Sequence, residues 1–337
     1  MQRCIDLAQK GMGRVAPNPL VGCVVVFGDE IIGEGYHSRY GELHAEIKAL
    51  ESVEDKSLLG SSTLYVNLEP CNHFGKTPPC TRRIIEAGVP KVVIGHQDPN
   101  IQIEGRGIEK LREAGIEVIE GILSESNYEL NRRFLTLHKK KRPYIILKWA
   151  QTSDGFMAKA GDVKTAISNE QSKQLVHQWR DEEQAIMVGT NTALIDNPQL
   201  TVREIDGVNP LRVVLDRELQ IPQNSHLLDG KTSTIVVNEH KSDREKNLEH
   251  LKLDFDQDLL TNVLNELASR DIQSILVEGG AQLHSSFIAA NLWDEARIIT
   301  SPITFGGGIE APEISGEQLK TESLGNNFIS YLTNSSE

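Results

Sequence analysis

Two successive runs of alternating strand and helix patterns, separated by one basic segment, constrain this chain more than any other feature. In the first run, Val21–Phe27 is a continuous apolar stretch of the kind a strand buried on both faces needs, and Ile31–Glu34 follows as its hairpin partner. Thr63–Leu68, Lys91–Gly95 and Ile116–Glu120 are further strand patterns. Gln2–Lys10, His44–Val53, Thr81–Ala87, Ile108–Ala114 and Ser126–Leu137 carry apolar residues at helical spacing, and Gly88 stands where a helix C-terminus favours glycine. Strands that alternate with helices form a sheet covered by helices, so an α/β layer sandwich is expected.

The alternation breaks at His138-Lys139-Lys140-Lys141-Arg142, followed by Pro143. This segment reads as a solvated linker and predicts domains at 1–142 and 143–337. Beyond it the alternation resumes. Strands are expected at Tyr144–Trp149, Ala185–Gly189, Leu211–Leu215, Ser233–Val237, Ser274–Val277 and Arg297–Thr300. Helices are expected at Glu170–Arg180, Leu259–Ser269 and Gln282–Ala290. A chain of 337 residues is long enough to bury two cores, so the second run is read as an α/β domain with its own sheet.

Charge and composition exclude several classes. A formal net charge of −13 gains little from counterion release on a polyanion, so no nucleic-acid partner is expected. No apolar run approaches the roughly 20 residues of a membrane-spanning helix. The opening MQRCIDLAQKG mixes charge with apolar residues and lacks the core of a signal peptide, so a cytoplasmic location is expected. Four cysteines, Cys4, Cys23, Cys71 and Cys80, are too few for a disulfide scaffold at this length.

Two of those cysteines belong to a metal-ligand pattern. His44-Ala45-Glu46 opens one helix pattern, and Cys71 and Cys80 flank a loop between a strand and a helix. One imidazole and two thiolates are donors zinc prefers, and three protein ligands leave a fourth position for water. Water on zinc ionises near neutral pH, and Glu46, two residues from His44, is placed to accept its proton and pass it on. Helix starts favour the thiolate forms of Cys71 and Cys80. A histidine-x-glutamate with a proline-cysteine segment is the known zinc-deaminase signature, although eight residues rather than two separate these cysteines. His73 is an alternative fourth ligand; it would close the site and leave Glu46 idle. A deaminase of a free base or RNA, and a zinc-stabilised binding module, are the competing readings.

The residues then resemble one family, the bifunctional deaminase/reductases of riboflavin biosynthesis, over nearly the whole chain. In the first half the resemblance rests on Ala16-Pro17-Asn18-Pro19-Leu20-Val21-Gly22, Gly33-Glu34-Gly35-Tyr36-His37, His44-Ala45-Glu46, the long Cys71–Cys80 loop and Asp98-Pro99-Asn100. It implies a cytidine-deaminase-like three-layer α/β/α domain acting on a diaminopyrimidine that carries a phosphoribosylamino group. Asn18, His37, Lys76, Asp98 and Asn100 match family positions around that substrate. Amide and carboxylate groups suit a pyrimidine edge, and a lysine suits phosphate.

In the second half, Leu147-Lys148-Trp149-Ala150, Val188-Gly189-Thr190-Asn191-Thr192, Asp196-Asn197-Pro198, Leu200-Thr201-Val202-Arg203 and Glu278-Gly279-Gly280 are similar to the family's reductase half. The resemblance implies a dihydrofolate-reductase-like α/β domain that reduces the ribosyl group to ribityl with NADPH. Matching positions give Ala150, Thr192, Asp196 and the turn Gly280, Ala281, Gln282, Leu283, His284, Ser285 and Ser286 to the cofactor. Lys164, Arg180, Leu200, Arg203 and Glu278 fall to the substrate. Lys148 is the proton-donor candidate; a strand-end lysine is otherwise a surface charge. One departure stands out: relatives carry an aromatic residue at the cofactor site where this chain has Thr165-Ala166-Ile167-Ser168. The expected enzyme uses zinc and NADPH, acts on a small pyrimidine ribosyl phosphate and assembles as a homo-oligomer.

Overall fold

Strand β1 (Gly22–Phe27) sends Cys23 and Val25 to one side of a sheet and Val24 to the other, and all three are buried. Burial on both faces is why the period of two is hidden in an unbroken apolar run. The computed structural model describes residues 1–73, 78–99, 105–161 and 167–334. It divides into two units, Met1–Lys141 and Arg142–Glu337.

In the first unit, β1, β2 (Glu30–Tyr36), β3 (Thr63–Leu68), β4 (Lys91–His96) and β5 (Glu117–Ile119) form a sheet in the order β2-β1-β3-β4-β5. β1 runs antiparallel to β2 and β3, whereas β3, β4 and β5 are parallel. The helices are α1 (Gln2–Gln9), α2 (Ala45–Ser52), α3 (Cys80–Glu86), α4 (Arg106–Glu113) and α5 (Ser124–Lys140). Ala45, Ala49, Ile84 and Leu111 of α2, α3 and α4 pack on Cys23, Val25, Leu64 and Val92 at one face. Cys4 and Leu7 of α1 pack on Val24 at the other, and Phe134 and Leu135 of α5 pack on Leu68. The result is the three-layer α/β/α sandwich. The basic run is not wholly a linker, and that expectation is corrected. His138, Lys139 and Lys140 form the last turn of α5, where positive charge meets the negative end of the helix.

The second unit contains β6 (Tyr144–Thr152), β7 (Phe156–Ala158), β8 (Ala185–Gly189), β9 (Leu211–Leu215), β10 (Thr234–Asn238), β11 (Asp243–Glu245), β12 (Leu248–Lys252), β13 (Ser274–Val277), β14 (Glu295–Ser301), β15 (Ile309–Glu310), β16 (Glu317–Leu324) and β17 (Asn327–Thr333). Ten of these strands form one sheet, in the order β11-β12-β10-β9-β8-β13-β6-β14-β17-β16, and β7 pairs with β15. The run from β12 to β14 is parallel; β11, β17 and β16 are antiparallel additions at the two ends. The helices are α6 (Glu170–Glu182), α7 (Thr190–Asp196), α8 (Leu259–Ser269) and α9 (Ala281–Ala289). Ile145, Leu147 and Trp149 of β6 face Val263 and Leu267 of α8 and Phe287 of α9. Tyr144 and Ile146 face Val176 and Trp179 of α6. Helices on both faces leave the C-terminal ends of the parallel strands open, where α/β sheets place ligands. Among the described residues, no helix is long and apolar enough to cross a membrane.

Candidate active sites

The first site is built by letting α2 lie close on β2. A Cβ at Gly35 would stand 2.5 Å from both Ala45 O and Ala49 N, so only glycine admits this helix at this distance. The close seat fixes His44 as the N-cap of α2 and buries Glu46 in its first turn. Cys80 is the first residue of α3, whereas Cys71 lies in the loop after β3 and is not at a helix start as expected. Its sulfur instead accepts the Cys80 backbone N–H at 3.4 Å.

His44 Nδ1 lies 3.2 Å from Cys80 Sγ and 3.6 Å from Cys71 Sγ, and all three donor atoms fall within 4.8 Å of one another. Zinc bonded at its usual lengths to nitrogen and sulfur in a tetrahedron needs nitrogen–sulfur separations of about 3.5 Å. The chain therefore fits zinc in spacing and in donor chemistry. His73 is exposed and is not part of this cluster. The hydrogen bond from the Cys80 thiol, aided by His44, pulls Cys71 down to about 4 against its own burial. The same bond and burial push Cys80 well up. Burial pushes the Glu46 carboxyl up, and His44 opposes it.

Two substrate candidates stand beside the cluster. The His37 ring is 5.5 Å from that of His44. With its Nδ1–H donated to Leu43 O at 3.2 Å, His37 Nε2 accepts from Asn18 Nδ2 at 3.0 Å. That tautomer turns the Asn18 amide so that its oxygen is left for a donor. Asp98 is buried beyond the end of β4. Its backbone N–H reaches Glu69, a residue sequence reasoning passed over. Glu69 accepts from the N–H groups of Asp98, Gly105, Gly107 and Ile108 at 2.9–3.3 Å, tying the loop before Cys71 to the start of α4. Its only sequence signal was the Glu-Pro-Cys step itself. Lys76 and Asn100 lie outside the described residues.

The second site lies at the C-terminal ends of β8 and β13, beside the middle of β6. Gly279 permits it: a Cβ there would stand 2.5 Å from Val188 Cα, so the turn after β13 passes tight against β8. Glu278 accepts Arg180 Nε at 2.7 Å and Nη2 at 2.9 Å, and Lys148 Nζ is 3.5 Å away. Burial alone would raise the Glu278 carboxyl, but Arg180 and Lys148 overcome it and hold it at about 2. Lys148 is largely enclosed, with 14% of its side chain exposed, rather than a surface charge, and burial lowers its pKa against the pull of Glu278.

A cleft of about 820 Å³ opens from Glu278, lined by Thr192, Asp196, Gly280, Ala281, Gln282, Leu283 and Ser286 among others. The Gly280 N–H is held by Thr192 Oγ1 at 2.9 Å. Among the remaining cofactor candidates, Ala150 sits on β6 and Ser285 is exposed, neither on the cleft wall. His284 turns inward, with its ring nitrogens 3.0 Å from Gly280 O and 3.1 Å from Val277 O. Leu200 is buried against Val188 and Ala193, and Arg203 is half exposed. Lys164 and Ala166 lie outside the described residues.

Fold and sites together define a two-domain enzyme, a zinc-binding deaminase joined to a reductase. Residues 1–96 match the model of the cytidine and deoxycytidylate deaminase zinc-binding region, and residues 143–332 match the RibD C-terminal domain. A riboflavin biosynthesis protein RibD of Synechocystis is 43% identical over 324 residues, covering 94% of this chain and 87% of the relative. The solved diaminohydroxyphosphoribosylaminopyrimidine deaminase/5-amino-6-(5-phosphoribosylamino)uracil reductase of Thermotoga maritima is 39% identical. It superposes with a TM-score of 0.91, over 99% of this chain and 97% of that one. RibD of Acinetobacter baumannii gives 0.90 at 32% identity, over 98% and 97%. The chain belongs to the RibD family, the bifunctional deaminase/reductases of riboflavin biosynthesis.

Proposed function

We propose that residues 1–142 deaminate 2,5-diamino-6-(5-phosphoribosylamino)pyrimidin-4(3H)-one and that residues 143–337 reduce the ribosyl group of the product. The observation that carries this reading is the convergence of His44, Cys71 and Cys80 beside the buried Glu46, in one chain with the Lys148–Glu278–Arg180 cluster. His44, Cys71 and Cys80 would hold zinc, which would supply the Lewis acidity that makes water nucleophilic near neutral pH. Glu46 would take the two protons of the attacking water in turn, giving one to the ring nitrogen and the other to the departing amine. The net change is an amino group and water exchanged for a ring carbonyl and ammonia. Burial raises the Glu46 pKa, which suits a group that must both accept and release a proton. Asn18, His37, Lys76, Asp98 and Asn100 orient the pyrimidine and its phosphate.

In the second domain bound NADPH would supply the hydride that the sugar C1 accepts in its open carbonyl or imine form. Thr192, Asp196 and, at the start of α9, Gly280, Ala281, Gln282, Leu283 and Ser286 would hold the cofactor from the cleft wall, with Ala150, His284 and Ser285 behind them as family positions. Lys164, Arg180, Leu200, Arg203 and Glu278 hold the substrate. Lys148 Nζ, buried beside Glu278, delivers the proton that completes the reduction. The enzyme works on a free small molecule in the cytoplasm, with no nucleic-acid or membrane partner, as a homo-oligomer; light scattering on the purified chain checks the last point. The functional test is turnover of the diaminopyrimidine substrate with and without NADPH, with zinc analysis of the same sample. Stoichiometric zinc, ammonia in both assays and ribityl product only with NADPH are expected.

A further inference from the structure

Helix α6 grips the loop between α7 and β9 with three side chains. Arg180 Nη1 donates to Thr201 O at 3.2 Å, His177 Nδ1 accepts the Arg203 N–H at 3.2 Å, and Asp181 Oδ1 accepts the Val208 N–H at 2.6 Å. His177 precedes Arg180 by three residues and Asp181 by four, so all three share one face of the helix. The loop also closes on itself, with the Val202 N–H on Asn209 Oδ1 at 2.8 Å. Leu200 at its start is buried with φ of +52°, a left-handed conformation that persists only where the surroundings over-determine it.

His177 is the one member of this grip whose bond depends on a proton. A backbone N–H only donates, so Nδ1 must present its lone pair, and the imidazole is neutral with its proton on Nε2. Protonating Nδ1 would set two donors against each other. The ring is buried, and desolvation followed by the nearby Arg180 and Arg203 lowers its pKa, with Glu204 and Glu278 opposing. Arg180 commits Nε and Nη2 to Glu278 and Nη1 to Thr201, which fixes one point of the loop relative to the end of β13. The Arg203 amide is the second fixed point, two residues on. Without it, the loop keeps its Val202–Asn209 and Val208–Asp181 bonds, but the Arg203 amide between them loses its hold on α6.

We infer that His177 is a positioning residue for the reductase, holding the Arg203 amide so that the guanidinium meets the phosphate end of the substrate. The inference rests on the proposed substrate contact of Arg203.

The test uses the full chain with zinc, NADPH and 5-amino-6-(5-phosphoribosylamino)uracil as the reductase substrate. His177→Ala takes the acceptor from the part-buried Arg203 N–H and raises KM for that substrate about tenfold or more. The NADPH dissociation constant, read by calorimetry, and ammonia release by the deaminase half change by less than about twofold, because neither uses this loop. His177→Asn places an amide oxygen as many bonds from the backbone as Nδ1 and restores KM to within about threefold of wild type. Wild-type KM rises as pH falls below the ordinary histidine range, and that rise is smaller in His177→Asn. Titration of the substrate phosphate is common to both enzymes and cancels in the comparison. An unchanged KM in His177→Ala, or an acid limb of full size in His177→Asn, overturns the positioning role. Arg203→Ala, measured alongside, separates the two layers. If its KM is unchanged, the substrate contact itself fails; if it rises while that of His177→Ala does not, only the inference fails.

Discussion

The Glu278 carboxylate receives the Arg180 guanidinium on both of its oxygens, Nε at 2.7 Å and Nη2 at 2.9 Å, across 98 residues of sequence. Lys148 shares the same buried carboxylate. Removing it strands two cations that have lost their water. Glu278→Ala therefore lowers the stability of the second unit by about 3 kcal/mol, measured by denaturant unfolding. It also abolishes NADPH-dependent reduction while leaving ammonia release intact.

The same cluster sets an acid window. Glu278 sits at about 2 in the folded chain against 4.5 when unexposed to its partners. A depressed carboxyl contributes stability that is complete above the unfolded value and is lost as pH falls from about 4.5 towards 2. His284 adds an earlier window. Burial outweighs the two carbonyl oxygens near its ring and lowers it from 6.5 to about 4. The unfolded chain therefore binds the extra proton first, and stability falls between about pH 6.5 and 4, by roughly 3 kcal/mol in full. Unfolding free energies of the wild type show that slope, and His284→Gln flattens it.

Glu46→Gln keeps the shape of the α2 start but cannot carry a proton. Zinc content stays at the wild-type level and deamination falls by about 100-fold to 10,000-fold. Reduction of separately supplied deaminated substrate continues, as an NADPH-oxidation assay would record.

Zinc removal separates the halves in the same way. Dialysis against a strong chelator ends ammonia release, and stoichiometric zinc restores it. NADPH oxidation with the deaminated substrate is unchanged throughout, because no residue of the Lys148–Glu278–Arg180 cluster belongs to the metal set.

Gly35 is the seat on which this site depends. In Gly35→Ala the new methyl meets the Ala45 and Ala49 backbone at 2.5 Å and pushes α2 off β2. The first unit loses about 1–3 kcal/mol and holds zinc less tightly, seen in unfolding curves and in competition with a chelator.

The buried cores were legible because burial imposes long apolar runs: Val21–Phe27, Tyr144–Trp149 and Ser274–Val277 all became interior strands. The strands that escaped notice have no such signature. β16, from Glu317 to Leu324, is exposed along nearly its whole length and is held by backbone pairing to β17, which composition does not report. α7 has only seven residues, β11 is a three-residue edge strand, and β12 lies next to it. The zinc ligands were legible because donor chemistry restricts them to a few residue types. Glu69 and His177 were not, because each acts on backbone N–H groups far away in sequence, and only folding brings those groups within reach. Lys148 changed meaning for the same reason: the charged groups that face it, Glu278 and Arg180, lie far along the chain.

The most direct test of the two-site account follows ammonia and NADPH together in one purified, zinc-loaded sample given the diaminopyrimidine ribosyl phosphate. Ammonia should appear with or without NADPH, and one NADPH should be oxidised per ammonia when both are present. Ammonia without any NADPH oxidation would contradict the reductase half, and no ammonia from a zinc-loaded chain would contradict the deaminase site of His44, Glu46, Cys71 and Cys80.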